Sequence, residues 1–225
     1  MKKTIGWLVS TLILNALAFS ISAHAETLYQ VELIAFARNT AEAENEENWD
    51  RKYNLRYPER LVSLQAADGS DRQFQALDNN ALQLKREADA IAGRRNWRVL
   101  LHTAWRQTVD NPQQATAVVI NGGKPFDTHH ELEGTFTLSV DHFLRADANL
   151  WLSRFSNTTL AAAPTTLPNL PGAVAPAGAD NSALTVTQVV VLQEQRRLRS
   201  GELHYFDHPR LGLVVLVTPI KTPQQ

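Results

Sequence analysis

Apolar and polar residues alternate with a period of two along most of this chain, and one stretch keeps the period of a helix. Residues 28–38 read LYQVELIAFAR. Tyr29, Val31, Leu33 and Ala35 share one face, and Gln30, Glu32, Ile34 and Phe36 share the other. That pattern predicts a strand with one face mixed polar and apolar. Residues 95–107 alternate likewise, with Trp97, Val99, Leu101, Thr103 and Trp105 on one face and Arg98, Leu100, His102, Ala104 and Arg106 on the opposite one. Between the two, Leu77, Ala81, Leu84, Ala88 and Ile91 recur at helical spacing. Asp78 can serve as the N-cap and Gly93 as the stop, so the principal helix is expected over 77–92. Strand, helix, strand suggests a βαβ-like opening.

The second half is strand-rich. A short strand at 117–120 runs into the turn signal Asn121-Gly122-Gly123. Residues 131–144 alternate cleanly, Ala146-Asp147-Ala148-Asn149 is the expected turn, and 150–155 returns to complete an antiparallel hairpin. Residues 157–181 change character: they are rich in Ala, Pro, Thr and Gly, with Asp180 as their single charge. Such a composition reads as a flexible insert. A long strand follows at 184–199, Ser200-Gly201 turns the chain, 202–205 returns, and 211–217 is a very apolar last strand. The expected fold class is α+β: mostly antiparallel sheet with one principal helix and a long Ala/Pro-rich loop.

The N-terminus changes the picture of location. Met1-Lys2-Lys3 is a basic start, an apolar run reaches Ile21, and Ala23-His24-Ala25 fits a small-x-small cleavage pattern. Residues 1–25 therefore read as a signal peptide cleaved after Ala25, and 26–225 as a single α+β domain with a flexible insert at 157–181. No other apolar run reaches spanning length. With no cysteine in its 225 residues, the chain has no lipidation site, disulfide, thiolate nucleophile or thiolate metal ligand. The expected destination is the periplasm of a Gram-negative cell. A formal charge of −1 provides no global basic field for nucleic acid.

Catalytic and metal patterns are not found. His129-His130 are adjacent and point to opposite faces, and no HExxH or related ligand spacing occurs. There is no GxSxG elbow and no phosphate-binding glycine loop, so neither a catalytic residue nor a cofactor is assigned. Glu133 and Asp141 share a strand face but stand roughly 26 Å apart by strand rise, too far for paired carboxylate work. Trp151 lies opposite the core residues Leu150 and Leu152 and is the candidate exposed ring. Arg196, Arg197 and Arg199 could meet anionic groups.

Four stretches together resemble the CsiV family of exported peptidoglycan-binding proteins. They are Tyr29 through Phe36; Trp97 through Gln107; the hairpin from Leu132 to Leu152 with Asp147, Asn149 and Leu150; and Arg196-Arg197 through Tyr205-Phe206-Asp207-His208-Pro209 with Gly212. The resemblance implies a non-enzymatic periplasmic protein that binds peptidoglycan. It further implies a role in wall synthesis by a class A penicillin-binding protein, together with an outer-membrane lipoprotein activator. It carries over no ligand residue. Trp151, Arg196, Arg197, Arg199, His204, Tyr205 and Asp207 are the expected contact surface for wall or partner. A wall-modifying enzyme and a pure protein–protein adaptor are the rival readings.

Overall fold

The computed structural model describes residues 27–39, 53–64, 73–156, 165–172 and 185–221. Their elements are β1 (Leu28–Arg38), β2 (Leu61–Val62), β3 (Phe74–Ala76), a 3-10 turn (Asn79–Ala81), α1 (Lys85–Ala92), β4 (Trp97–Thr108), β5 (Ala117–Phe126), β6 (His129–Val140), β7 (Leu144–Ser156), β8 (Thr185–Leu198), β9 (Leu203–Asp207) and β10 (Leu211–Ile220). The result is mostly sheet, with α1 as the one α-helix among the described residues. Two five-stranded sheets form: β3-β4-β1-β10-β9, called sheet A here, and β2-β5-β6-β7-β8, called sheet B. Every pairing is antiparallel except β2 with β5.

The inner faces of both sheets share one core. Val31, Leu33, Trp105, Leu213, Val215 and Phe206 of sheet A pack with Ile120, Phe136, Leu138, Leu150 and Leu192 of sheet B. Across β6 and β7 small residues oppose large ones: Ala148 faces Phe136, Ala146 faces Leu138, and Gly134 faces Leu150. This interdigitation fills the layer without strain. It also explains why 146–149 is strand and not the expected turn. The reversal falls at 141–143, where the Phe143 N–H donates to Asp141 Oδ1 at 2.9 Å. That bond, and Arg145 after it, holds the Asp141 carboxyl below the usual range.

Four further expectations are corrected. Asn121-Gly122-Gly123 is not a turn but a bulged part of β5, with its register shift between Gly122 and Pro125. A Cβ on Gly122 would lie 2.7 Å from the Leu100 carbonyl oxygen, so the glycine serves a close strand approach. The opening is not βαβ, because β1 and β4 pair directly and antiparallel. A bulge between the Ala35–Leu101 and Phe36–Val99 pairs also splits the expected tryptophan face. Trp105 enters the core, whereas Trp97 and Val99 turn to the outer face of sheet A. Finally, Ser200-Gly201 carries the chain from sheet B to sheet A, and β9 pairs with β10 rather than with β8.

Both outer faces are covered, each through a buried glutamate. On sheet A, α1 lays Leu84, Ala88 and Ile91 over Ile34 and Phe36. Glu32 is 1% exposed and accepts the N–H groups of Gln83 and Leu84, both at 2.8 Å, with His102 Nε2 at 2.7 Å. The backbone donors leading into the helix are thus satisfied from the sheet. Asp78 makes no capping bond, and the helix is correspondingly shorter than expected. On sheet B, residues 53–57 and 165–170 form a strap over Trp151, Val189 and Val191, with Leu167 and Leu170 buried. Residues 165–172 of the expected flexible insert are therefore packed; 157–164 and 173–184, like 1–26, lie outside the described residues. Glu133, fully buried beneath the strap, accepts the His130 N–H at 2.7 Å and Trp151 Nε1–H at 3.4 Å, with His129 Nδ1 at 3.2 Å. Tyr57 stands edge-on to Trp151 at 5.1 Å, and burial, then Glu133, pushes its hydroxyl pKa up.

Glu32→Ala is expected to cost about 2–4 kcal/mol, because it strands the helix-entry donors. Urea unfolding checks this, with exposed Asp89→Ala as a control within about 0.5 kcal/mol. The hydrogen bond to Glu133 raises the His129 pKa against the opposing effect of burial. A raised folded pKa gives stability that is present below the unfolded value and lost as pH rises through the folded one. Wild type should therefore lose stability relative to His129→Gln as pH rises above the ordinary imidazole value of 6.5, read from paired thermal melts.

Candidate functional site

The outer face of sheet A beyond α1 carries a row of rings. Phe36 on β1 pairs with Gly212 on β10, and Gly212 pairs in turn with Asp207 on β9. Gly212 has no side chain, and the Phe36 ring fills its place; a Cβ there would strike that ring. Such an aromatic covering restores packing that a strand glycine forfeits. Phe36 reaches Trp97 on one side, at 4.9 Å between ring centres and 14° between planes. On the other it reaches Tyr205, at 6.2 Å and 14°. The row ends at the sheet edge in Tyr205, which is 37% exposed.

Two arginines engage the row. The Arg38 guanidinium lies 5.1 Å from the centre of Trp97, 5.6 Å from Phe36 and 5.8 Å from Tyr205. Its Nη2 donates to the Tyr205 hydroxyl oxygen and to Asp207 Oδ1. The Tyr205 hydroxyl donates to the same Asp207 oxygen at 3.1 Å. Arg38 Nε is buried and has no partner among the described residues. Arg94, exposed after α1, stands 4.5 Å over Trp97, and exposed Arg95 follows it. This face can offer ring surface to an apolar ligand face and donors to an anion.

The structure divides the residues singled out by sequence. Tyr205 and Asp207 belong to this face. Trp151 is fully buried under the strap, which corrects its expectation as an exposed ring. Arg196 bonds Glu194 and donates from Nη1 to the Tyr205 carbonyl at 2.6 Å, joining the edges of the two sheets. His204 Nε2 lies 3.0 Å from the Arg199 N–H, inside the same turn region. Arg199 is largely exposed, 3.8 Å from Glu202. Arg197 lies on the opposite sheet, its guanidinium 3.1 Å from the Phe143 ring centre. There it neighbours a polar strip with Asp147, whose carboxyl is pushed up by desolvation between strands.

Arg38, Arg94 and Trp97 were not singled out by sequence. Trp97 has core parity unless the β4 bulge is known, and Arg38 looks like an ordinary strand end. Gly212, a glycine inside an otherwise apolar strand, was the available signal. Among the described residues no group of three metal-ligating side chains occurs. A cavity of about 70 Å³ lined by Leu64, Leu101, Thr103 and Val119 is too small for a sugar. No described helix is long and apolar enough to cross a membrane.

No curated protein and no solved structure gives a match. A family model does, over residues 8–220, so that it takes in β1, the β4 tryptophans, the β6–β7 hairpin and the β9–β10 end together. By that match the chain belongs to the CsiV family, described as peptidoglycan-binding protein.

Proposed function

We propose that this protein is a periplasmic factor that binds peptidoglycan without cutting it and assists wall synthesis by a penicillin-binding protein. The observation that carries this reading is the family match across almost the whole chain, whose description names a binding role and no reaction. The surface described above supports it. A long wall polymer suits an open face better than a closed pocket, and the ring row with Arg38 and Arg94 is such a face. Of the residues expected to make contact, Tyr205 and Asp207 carry the proposal. Arg199 can extend it at the neighbouring turn. A class A synthase and its outer-membrane lipoprotein activator are the proposed partners, and the signal-like start of the chain supports an envelope location.

Purified protein lacking residues 1–25 is expected to sediment with purified sacculi at low salt and to leave their muropeptide profile unchanged. Protein remaining in the supernatant would refute the binding role. A new muropeptide would replace this reading with that of a wall-modifying enzyme. Sedimentation with sacculi alone would exclude an adaptor that reaches the wall only through another protein.

A further inference from the structure

We infer that the face formed by Trp97, Tyr205, Arg38 and Arg94 is the wall-binding site, and that it recognises a carboxylate carried on the glycan. This rests on the peptidoglycan-binding reading and names the chemical group that the site selects. The ring row is fixed at both levels that matter for stacking. Phe36 is buried at its centre, and Gly212 leaves the space that the ring occupies. Tyr205 is the exposed end and offers its ring, whereas Trp97, partly exposed, already carries Phe36 and the Arg94 guanidinium against its ring. Sugar rings have an apolar face, and an immobilised aromatic receives it without further ordering cost.

The charge pattern selects an acid. Arg38 is held in place by Tyr205 and Asp207 through one nitrogen, Nη2, and its buried Nε has no partner among the described residues. A guanidinium has five N–H donors in a rigid fork, and a carboxylate uses two of them at once. Arg94 has no ion pair among the described residues, and its guanidinium is aligned by the Trp97 ring. It places cationic charge beside the Trp97 ring in a chain whose formal charge is −1. A neutral saccharide would make the stacking contact alone. A sugar bearing a carboxylate, either directly or through its attached peptide, would add the charge-assisted contacts.

The test uses four probes with the purified protein: intact sacculi, glycan strands stripped of peptide, free stem peptide, and a neutral oligomer of N-acetylglucosamine. Arg94→Ala and Arg38→Lys should each weaken sacculus binding by roughly tenfold or more, with the effect shrinking at high salt. Arg197→Ala, on the opposite sheet, should bind as wild type does. Peptide-free strands, which keep the lactyl carboxylate, should compete better than the neutral oligomer by roughly tenfold. Arg94 lies on the surface, so a thermal melt of Arg94→Ala equal to wild type separates lost contact from lost folding. Equal competition by the neutral oligomer would overturn the carboxylate. Free peptide competing as well as whole strands would overturn the sugar contact. Weakening by Arg197→Ala but not by Arg94→Ala would move the site to sheet B. If wild type itself fails to bind sacculi, the peptidoglycan-binding reading falls first.

Discussion

A carboxylate buried in the middle of a strand has to be answered by donors, and this fold places one on the outer face of each sheet. Glu32 receives the backbone leading into α1 together with His102. Glu133 receives the His130 N–H, the Trp151 indole and His129. The sandwich itself has a single apolar core between its sheets, but its outer faces are also largely apolar. They need covers, and the two glutamates determine where each cover sits. A ring or aliphatic contact would allow a cover to slide, whereas a desolvated carboxylate accepts only one arrangement of donors. The position of the helix in turn decides how much of sheet A remains open, and the ring row lies in that opening.

Strands were legible where one residue in two had to be apolar. β1, β8 and β10 lie close to their expected bounds, because alternation and Gly201 define them. What the pattern could not reveal is which strand faces a sheet and which a turn. Ala146-Asp147-Ala148-Asn149 has turn composition, yet its alanines are the partners that Phe136 and Leu138 require. The bulge in β4 adds one residue and exchanges the faces of everything before it, so Trp97 and Trp105 part company despite equal parity. Buried polar side chains were also invisible as such. Glu32 and Glu133 look like solvent-facing members of amphipathic strands until the covering segments are seen.

The candidate surface was half legible for the same reason. Tyr205 and Asp207 were found by local composition, since rings and charges cluster near the last hairpin. Their companions Arg38 and Trp97 come from other parts of the chain and meet them only across the order β4-β1-β10-β9. Gly212 is the link. A glycine in an otherwise apolar strand signals close approach, and here the approaching group is the ring of Phe36. Arg196 and Arg197 are neighbours in sequence that alternation sends to different places, one to the seam between sheets and the other to the far face.

The position of Arg196 has a consequence for life among other chains. β9 is an edge strand, and the outward carbonyl of Tyr205 would ordinarily be free to recruit a passing strand. The Arg196 guanidinium occupies that acceptor and stands beside the Phe206 ring, so the end of sheet A presents a bulky cation where a foreign backbone would have to pair. A protein with no disulfide to reinforce it thereby has a guard against edge-to-edge aggregation that is built from one side chain and is independent of redox conditions.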